Sequence, residues 1–174
     1  MTAEQLHDFL RDVPDFPKPG ILFKDITPLL RSPEALRSAC EWLGQPFTNE
    51  RVTVVAGIES RGFIFGSIVA QNLGAGFVPI RKPGKLPWTT RKHEYVLEYG
   101  SGTLEIHDDA LTPDDRVLII DDVLATGGTL AAATHLVRGF EATIVGAATV
   151  VELSFLNGRN QMSADVPLHS LLRY

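Results

Sequence analysis

The sequence predicts an α/β fold, a central and mostly parallel sheet flanked by helices. Two stretches carry this expectation. In the first, the apolar run 52–58 leads through Glu59-Ser60-Arg61-Gly62 into a helical stretch, 63–73, and a second apolar run, 76–82. In the second, Val117, Leu118, Ile119 and Ile120 run into Asp121 and Asp122. A loop of small residues follows, then a helical stretch that Gly139 is placed to stop, and a return strand at 143–153. Four β-formers in a row suit a strand buried on both faces, and strand–helix–strand alternation builds a parallel sheet. At 174 residues the chain fills one core, so a single domain over 1–174 is expected.

The elements follow in order. Residues 4–11 read as a short helix with Leu6, Phe9 and Leu10 inward. Segment 15–30 holds two prolines and a glycine early on, which keep it out of a helix, yet Ile21, Leu22 and Phe23 are too apolar for a free loop. It predicts an extended flap over an apolar surface. Ser32-Pro33-Glu34 supplies an N-cap, a first-turn proline and an acid, and the helix should reach Leu43 before Gly44 and Pro46 end it. After the first strand–helix–strand unit, 82–94 is a long polar segment with Pro83, Gly84 and Pro87, expected to act as a lid. Residues 95–100 and 103–107 can pair across Ser101-Gly102 as a hairpin that carries it.

Composition narrows the function. A net charge of −5 argues against non-specific nucleic-acid binding. Within this acidic chain, Arg81, Lys82, Lys85, Arg91 and Lys92 form a local basic run, which points to an anionic ligand. No apolar run reaches membrane-spanning length and residues 1–12 lack a signal-peptide pattern, so no membrane partner and a cytoplasmic setting are expected. The one cysteine, Cys40, fits a reducing compartment and reads as a small buried hydrophobe. The five histidines lack zinc-type spacing.

Two strand ends carry the chemistry. After 117–120, the loop Ala125, Thr126, Gly127, Gly128 and Thr129 offers backbone N–H groups and hydroxyls at a helix N-terminus, a cup for a dianionic phosphate. Asp121 and Asp122 repel a phosphate themselves and read as acceptors for ribose 2′- and 3′-hydroxyls, with Mg²⁺ nearby. After 52–58, Ser60 and Arg61 sit on a polar turn before a helix and suit a second anion. In a doubly wound sheet both loops lie at the C-terminal strand ends, where ligands bind. No Walker-type Gly-Lys-Ser/Thr loop is present.

The strand, the acidic pair and Thr126-Gly127-Gly128-Thr129 together resemble the 5-phosphoribosyl-1-pyrophosphate (PRPP) motif of the type I phosphoribosyltransferases. The likeness narrows to the adenine phosphoribosyltransferase family and covers nearly the whole chain. Residues 16–28 are similar to that family's N-terminal hood, within 1–30. Gly57-Ile58-Glu59-Ser60-Arg61-Gly62-Phe63 is similar to its pyrophosphate loop, and 82–100 to its mobile loop and hairpin. Ser170-Leu171-Leu172-Arg173-Tyr174 matches its last segment.

The resemblance implies transfer of the phosphoribosyl group from PRPP to adenine, giving AMP and pyrophosphate, a purine-salvage reaction. It implies that Asp121 and Asp122 hold the ribose hydroxyls, that Ala125 to Thr129 hold the 5′-phosphate, and that Ser60, Arg61 and Lys85 meet the pyrophosphate. Arg81 would reach a neighbouring subunit's site in a homodimer. Phe23 and Leu153 would sandwich adenine, backbone groups of Leu22, Phe23 and Lys24 would meet its N1/N6 edge, and Glu98 would serve as acid–base group near N7. Mg²⁺ is expected mainly through PRPP and water. The family's turn before the arginine can carry a cis peptide, here Glu59–Ser60. Lys24 stands where several relatives have Arg, and Glu59 where others have Asp. A 6-oxopurine phosphoribosyltransferase and a non-catalytic PRPP-sensing regulator are the alternatives.

Overall fold

A computed structural model describes residues 1–16, 18–96 and 101–174. A 3-10 turn, Glu4–Phe9, buries Leu6 and ends as Leu10 turns extended. It is shorter than the expected helix because Arg11 already belongs to a strand. That strand, β1 (Arg11–Pro14), pairs antiparallel with β2 (Leu22–Asp25). The flap is therefore a two-stranded ribbon. It is not extended to residue 30: α1 (Thr27–Arg31) follows at once, with Pro28 in its first turn, where a missing N–H costs nothing. Asp25 caps it, accepting from Thr27 N at 2.9 Å and Thr27 Oγ1 at 2.7 Å.

Helix α2 (Pro33–Gly44) starts as its sequence foretells, with Ser32 Oγ accepting from Ala35 N at 3.2 Å. Gly44 closes the helix from within, and a 3-10 turn, Gln45–Phe47, continues the chain. Strand β3 (Val54–Ile58), helix α3 (Gly62–Leu73) and strand β4 (Gly76–Ile80) form the first unit, and Gly74 ends α3 in the left-handed region at φ 68°. Strands β5 (Thr90–Val96) and β6 (Ser101–His107) then pair antiparallel. The second unit is β7 (Arg116–Leu124), α4 (Gly128–Arg138) and β8 (Thr143–Glu152), and β9 (Leu168–Arg173) completes the set.

The central sheet is parallel throughout, in the order β4-β3-β7-β8-β9. Its middle strand explains the unbroken apolar run. Leu118 and Ile120 face one core with Leu43, Phe65 and Val69 of α2 and α3; Val117 and Ile119 face another with Leu130, Leu136 and Val137 of α4. Period-2 alternation between two covered faces leaves no polar position until the strand's far end.

Two further expectations need correction. The polar segment 82–94 does not stay a loop to its end, because Thr90 onward pairs in β5. Ser101 and Gly102 are not the hairpin's turn; they pair with Val96 and Tyr95, and the link falls on 97–100, outside the described residues. Asp121 and Asp122 lie in the last four residues of β7, which runs on to Leu124. The hairpin rests on α4 through alternate residues of β5. Arg91 donates to Gly139 O and covers the Phe140 ring, His93 stacks on His135 at 3.8 Å, and Tyr95 Oη lies 3.3 Å from Thr129 Oγ1.

Candidate active site

β3 and β7 are hydrogen-bonded neighbours, so the loops after them open at the same sheet edge. Between them lies a cleft of about 460 Å³ lined by Glu59, Ser60, Arg61, Lys82, Tyr95, Leu104, Asp121, Asp122 and Thr129. It gathers Ser60, Arg61, Asp121, Asp122 and Thr129, which the sequence singles out, and adds Lys82 and Tyr95, to which it assigns no role. Lys82 was visible in the basic run. Tyr95 had only its alternate spacing with Arg91 and His93 as a signal.

A smaller recess of about 100 Å³ opens beside it, lined by Ala125, Thr126, Gly127 and Thr129 together with Asp121 and Leu124. Gly128 begins α4, so the recess faces that helix's unpaired N–H groups, where an anion is favoured. Gly127 sits at φ 89°, and a Cβ there would stand 2.2 Å from Gly158 O. A Cβ on Gly158 would in turn stand 2.2 Å from Ala125 O. The cup is thus backed by the 3-10 turn Gly158–Gln161, and Gly158 is a supporting position that no sequence motif flagged.

Asp121 and Asp122 are both buried. Asp121 Oδ1 accepts from Asp122 N at 2.8 Å. Burial, and then the adjacent Asp122 charge, push the Asp121 carboxyl well above the usual carboxylate range. Asp122 is paired instead: Arg61 Nε lies 2.7 Å from its Oδ2. The turn carrying Arg61 begins with a cis Glu59–Ser60 peptide.

Glu59 shows how that turn is packed. Its carboxylate accepts from Arg81 Nε at 3.1 Å, Arg81 Nη2 at 3.2 Å and Lys82 N at 3.0 Å. Burial pushes its pKa up, yet the Arg81 fork and the Lys82 N–H outweigh it and hold the group below its ordinary value. Arg81 also donates to Lys85 O at 3.0 Å. Between them, Gly84 N donates to Glu105, a buried acid that Lys92 also meets at 2.8 Å. The start of the loop is therefore tethered to two carboxylates. Arg81 is engaged within its own chain, and Lys85 is exposed, outside the cleft's lining.

The third recess is small, about 30 Å³, and is lined by Phe23, Lys24, Ile26, Arg61, Asp122, Val123, Val151 and Leu153. It brings Phe23 and Leu153 together as expected, beside the Arg61–Asp122 pair. Phe16 packs edge-on against Phe23 at 5.1 Å, and the Arg61 guanidinium lies 5.7 Å from the Phe23 ring. The Lys24 ammonium is paired with Asp12 and sits 4.0 Å over the Tyr174 ring. Leu22 is 44% exposed and lies outside this lining. Glu98 falls outside the described residues.

Among the described residues no group of three or more His, Cys, Asp or Glu side chains could hold a metal by itself. A hard cation that keeps its waters, such as Mg²⁺, asks for less: one or two carboxylates beside a phosphate ligand. Asp121 and Asp122 at the cleft edge fit that demand.

The acidic pair of β7 and the small-residue loop after it fall within residues 25–165, which match the model of the phosphoribosyl transferase domain family. Adenine phosphoribosyltransferase of Nitrosococcus oceani is 54% identical over 171 residues, covering 98% of this chain and 99% of the relative. That of Thermobifida fusca is 55% identical over 163 residues, 94% of this chain and 92% of its own. The crystal structure of the Rhodothermus marinus adenine phosphoribosyltransferase superposes with a TM-score of 0.94 at 53% identity, covering 99% of this chain and 98% of that one. The Saccharomyces cerevisiae enzyme, complexed with an imino-altritol bisphosphate and adenine, superposes with 0.90 at 42% identity over 97% of each chain. The chain belongs to the adenine phosphoribosyltransferase family.

Proposed function

We propose that this protein transfers the 5-phosphoribosyl group of PRPP to N9 of adenine, giving AMP and pyrophosphate. The observation that carries this is the meeting of three recesses at one sheet edge. The cup of Ala125 to Thr129 suits a 5′-phosphate, Asp121 and Asp122 suit the ribose hydroxyls, and Phe23 with Leu153 would part to take a flat base. The adenine and bisphosphate held by the yeast relative support the same reading.

In this reading the C1′–oxygen bond to pyrophosphate breaks as N9 attacks from the opposite face, and C1′ passes through oxocarbenium character. Arg61, the Ser60 backbone, Lys82 and Lys85 stabilise the negative charge that gathers on the leaving group. Mg²⁺, which PRPP and water would mainly hold with Asp121 and Asp122 nearby, would neutralise phosphate charge when bound. Adenine's N1 acceptor and N6 donor meet backbone groups of Leu22, Phe23 and Lys24. A 6-oxopurine reverses that pattern and leaves polar groups unpaired. The imidazole ring loses one proton as N9 bonds to C1′, and Glu98 handles it near N7. The loop that Glu59 and Glu105 tether is the lid that excludes water.

The setting is proposed to be cytoplasmic, with the whole chain working as one domain within a homodimer, as the family resemblance implies. Arg81 is bound to Glu59 here, so reaching a partner's site requires it to leave that carboxylate. One assay tests the reaction: PRPP and Mg²⁺ with adenine, hypoxanthine, guanine or xanthine, followed by nucleotide formation. AMP from adenine is expected. Nucleotide from hypoxanthine with none from adenine would overturn the choice of base, and PRPP binding without turnover of any base would point to a regulator.

A further inference from the structure

Tyr174 ties the two walls of the Phe23–Leu153 recess to each other. On one side its backbone brackets Leu153: Tyr174 N donates to Glu152 O at 2.9 Å, and Ser154 N donates to Tyr174 O at 2.7 Å. On the other, its ring lies 4.0 Å beneath the ammonium of Lys24, the neighbour of Phe23 on β2. Lys24 is fixed in turn by Asp12, its register partner on β1. The Tyr174 hydroxyl meets His7 Nδ1 at 2.7 Å, and the imidazole packs edge-on against the ring at 5.1 Å. One residue thus joins the 3-10 turn, the β1–β2 ribbon and the end of β8. None of these contacts reaches the phosphate cup or the acidic pair.

We propose that Tyr174 is a positioning residue for the base, setting how Phe23 and Leu153 stand relative to each other as a planar purine enters between them. The β1–β2 ribbon projects from the central sheet, to which it is not hydrogen-bonded. Its distance from Leu153 is set by the chain's continuation into buried Ile26 and α1 and by side-chain contacts, among which the cation–ring contact from Lys24 to Tyr174 is a direct one. Burial, and then the charge of Asp12, push the Tyr174 hydroxyl above its ordinary value. Loss of the ring releases the ribbon while the PRPP-binding groups keep their places.

This inference rests on adenine being the base bound there. Tyr174→Leu keeps the side-chain bulk and backbone clamp but offers no π face to Lys24. It should raise the adenine KM about five- to tenfold, the worth of a partly desolvated cation–π contact, with PRPP KM and kcat within about twofold of wild type. Tyr174→Phe, which keeps the ring, should stay within about threefold of wild type for adenine. Lys24→Met should match Tyr174→Leu, and the double variant should show no further rise. A purely structural role would lower the melting temperature and scale kcat without separating the two KM values, and that result overturns the proposal. Should Tyr174→Leu fail to fold, an unchanged adenine KM in Lys24→Met overturns it as well. Wild-type protein that makes no AMP from adenine removes the reaction itself; wild-type turnover with unchanged variants removes only the role of Tyr174.

Discussion

Arg61 Nε lies 2.7 Å from Asp122 Oδ2, and this pair stands between the Phe23–Leu153 recess and the wide cleft, lining both. Asp122 is buried while the Arg61 side chain keeps 39% of its exposure, so one end of the guanidinium holds the acid and the rest remains open to a ligand. A planar fork can serve a carboxylate and a phosphate together, whereas an ammonium offers no such fixed geometry. Arg61→Lys should lower kcat/KM for PRPP by roughly 10- to 100-fold, the worth of one charged hydrogen bond. Initial-rate kinetics at varied PRPP check this, and a wild-type value would break the link between the pair and the donor.

Asp121 is held in a state that costs stability. Its folded pKa is raised, first by burial and then by Asp122, so the folded chain binds this proton more tightly than the unfolded chain does. The group's stabilising contribution is complete below the ordinary value of 3.8 and is lost as pH rises through the raised value. Asp121→Asn stays neutral throughout. Its melting temperature should match wild type near about pH 4 and exceed it increasingly toward about pH 8, while kcat/KM for PRPP falls about tenfold or more. Melting curves across that range, with no widening gap, would count against the buried-charge account.

Much of the fold could be read from periodicity because the central strands are buried on both faces and the helices carry strong stops. Ser32, Gly74 and Gly139 marked ends where the structure has them. The ribbon β1–β2 and strand β9 were not foreseen. β9, with His169 and Ser170 among leucines, lacks both a clean alternation and a solid apolar run, and β1 is four mostly exposed residues held by pairing with β2. The site was legible where chemistry is local, as in 121–129 and 59–61. It was opaque where a residue acts by tertiary contact: Gly158 behind the cup, Tyr95 against Thr129, and Glu59 and Glu105 beneath the loop.

The loop's two lysines should now separate. Both are exposed, but Lys82 lines the cleft and its backbone N–H is fixed on Glu59, while Lys85 lies outside the lining. Lys82→Ala should raise the PRPP KM roughly tenfold, and Lys85→Ala should do so by a smaller factor, about two- to threefold, as expected for a screened surface charge. Repeating both titrations at high salt should shrink the Lys85 effect more. Equal effects for the two variants would show that the loop rearranges before PRPP is held.

Glu152 anchors the end of β8 just before Leu153. Its carboxylate accepts from Arg159 at 2.7 and 2.8 Å and meets Arg173 at 3.2 Å. Burial alone would raise its pKa, but these arginines, with Ser170, hold it below the ordinary 4.5. A lowered folded pKa stabilises the protein above the ordinary value, and the contribution is lost as pH falls through the lowered one. Glu152→Gln should cost about 2–3 kcal/mol near neutral pH, less than a fully buried pair because the Arg159 side chain is partly solvated. Urea titrations should show that deficit shrinking below about pH 4.5, and a pH-independent deficit would assign the loss to packing.

Gly158 tests whether the phosphate cup is supported from behind. Its Cα approaches Ala125 and Gly127 so closely that an added Cβ would stand 2.2 Å from Ala125 O and 3.0 Å from Gly127 N. Both are backbone atoms of the cup itself, so relief can come only by moving the loop or the 3-10 turn behind it. Gly158→Ala should therefore destabilise the protein by about 1–3 kcal/mol, the usual range for overpacking. It should also raise the PRPP KM about tenfold, since the N–H groups aimed at the phosphate lose their alignment. The Phe23–Leu153 recess is not lined by this turn, so adenine KM should change far less. Steady-state kinetics with each substrate varied in turn, alongside thermal melts, decide the matter. A lower melting temperature with an unchanged PRPP KM would mean that the turn behind the cup yields while the cup keeps its shape.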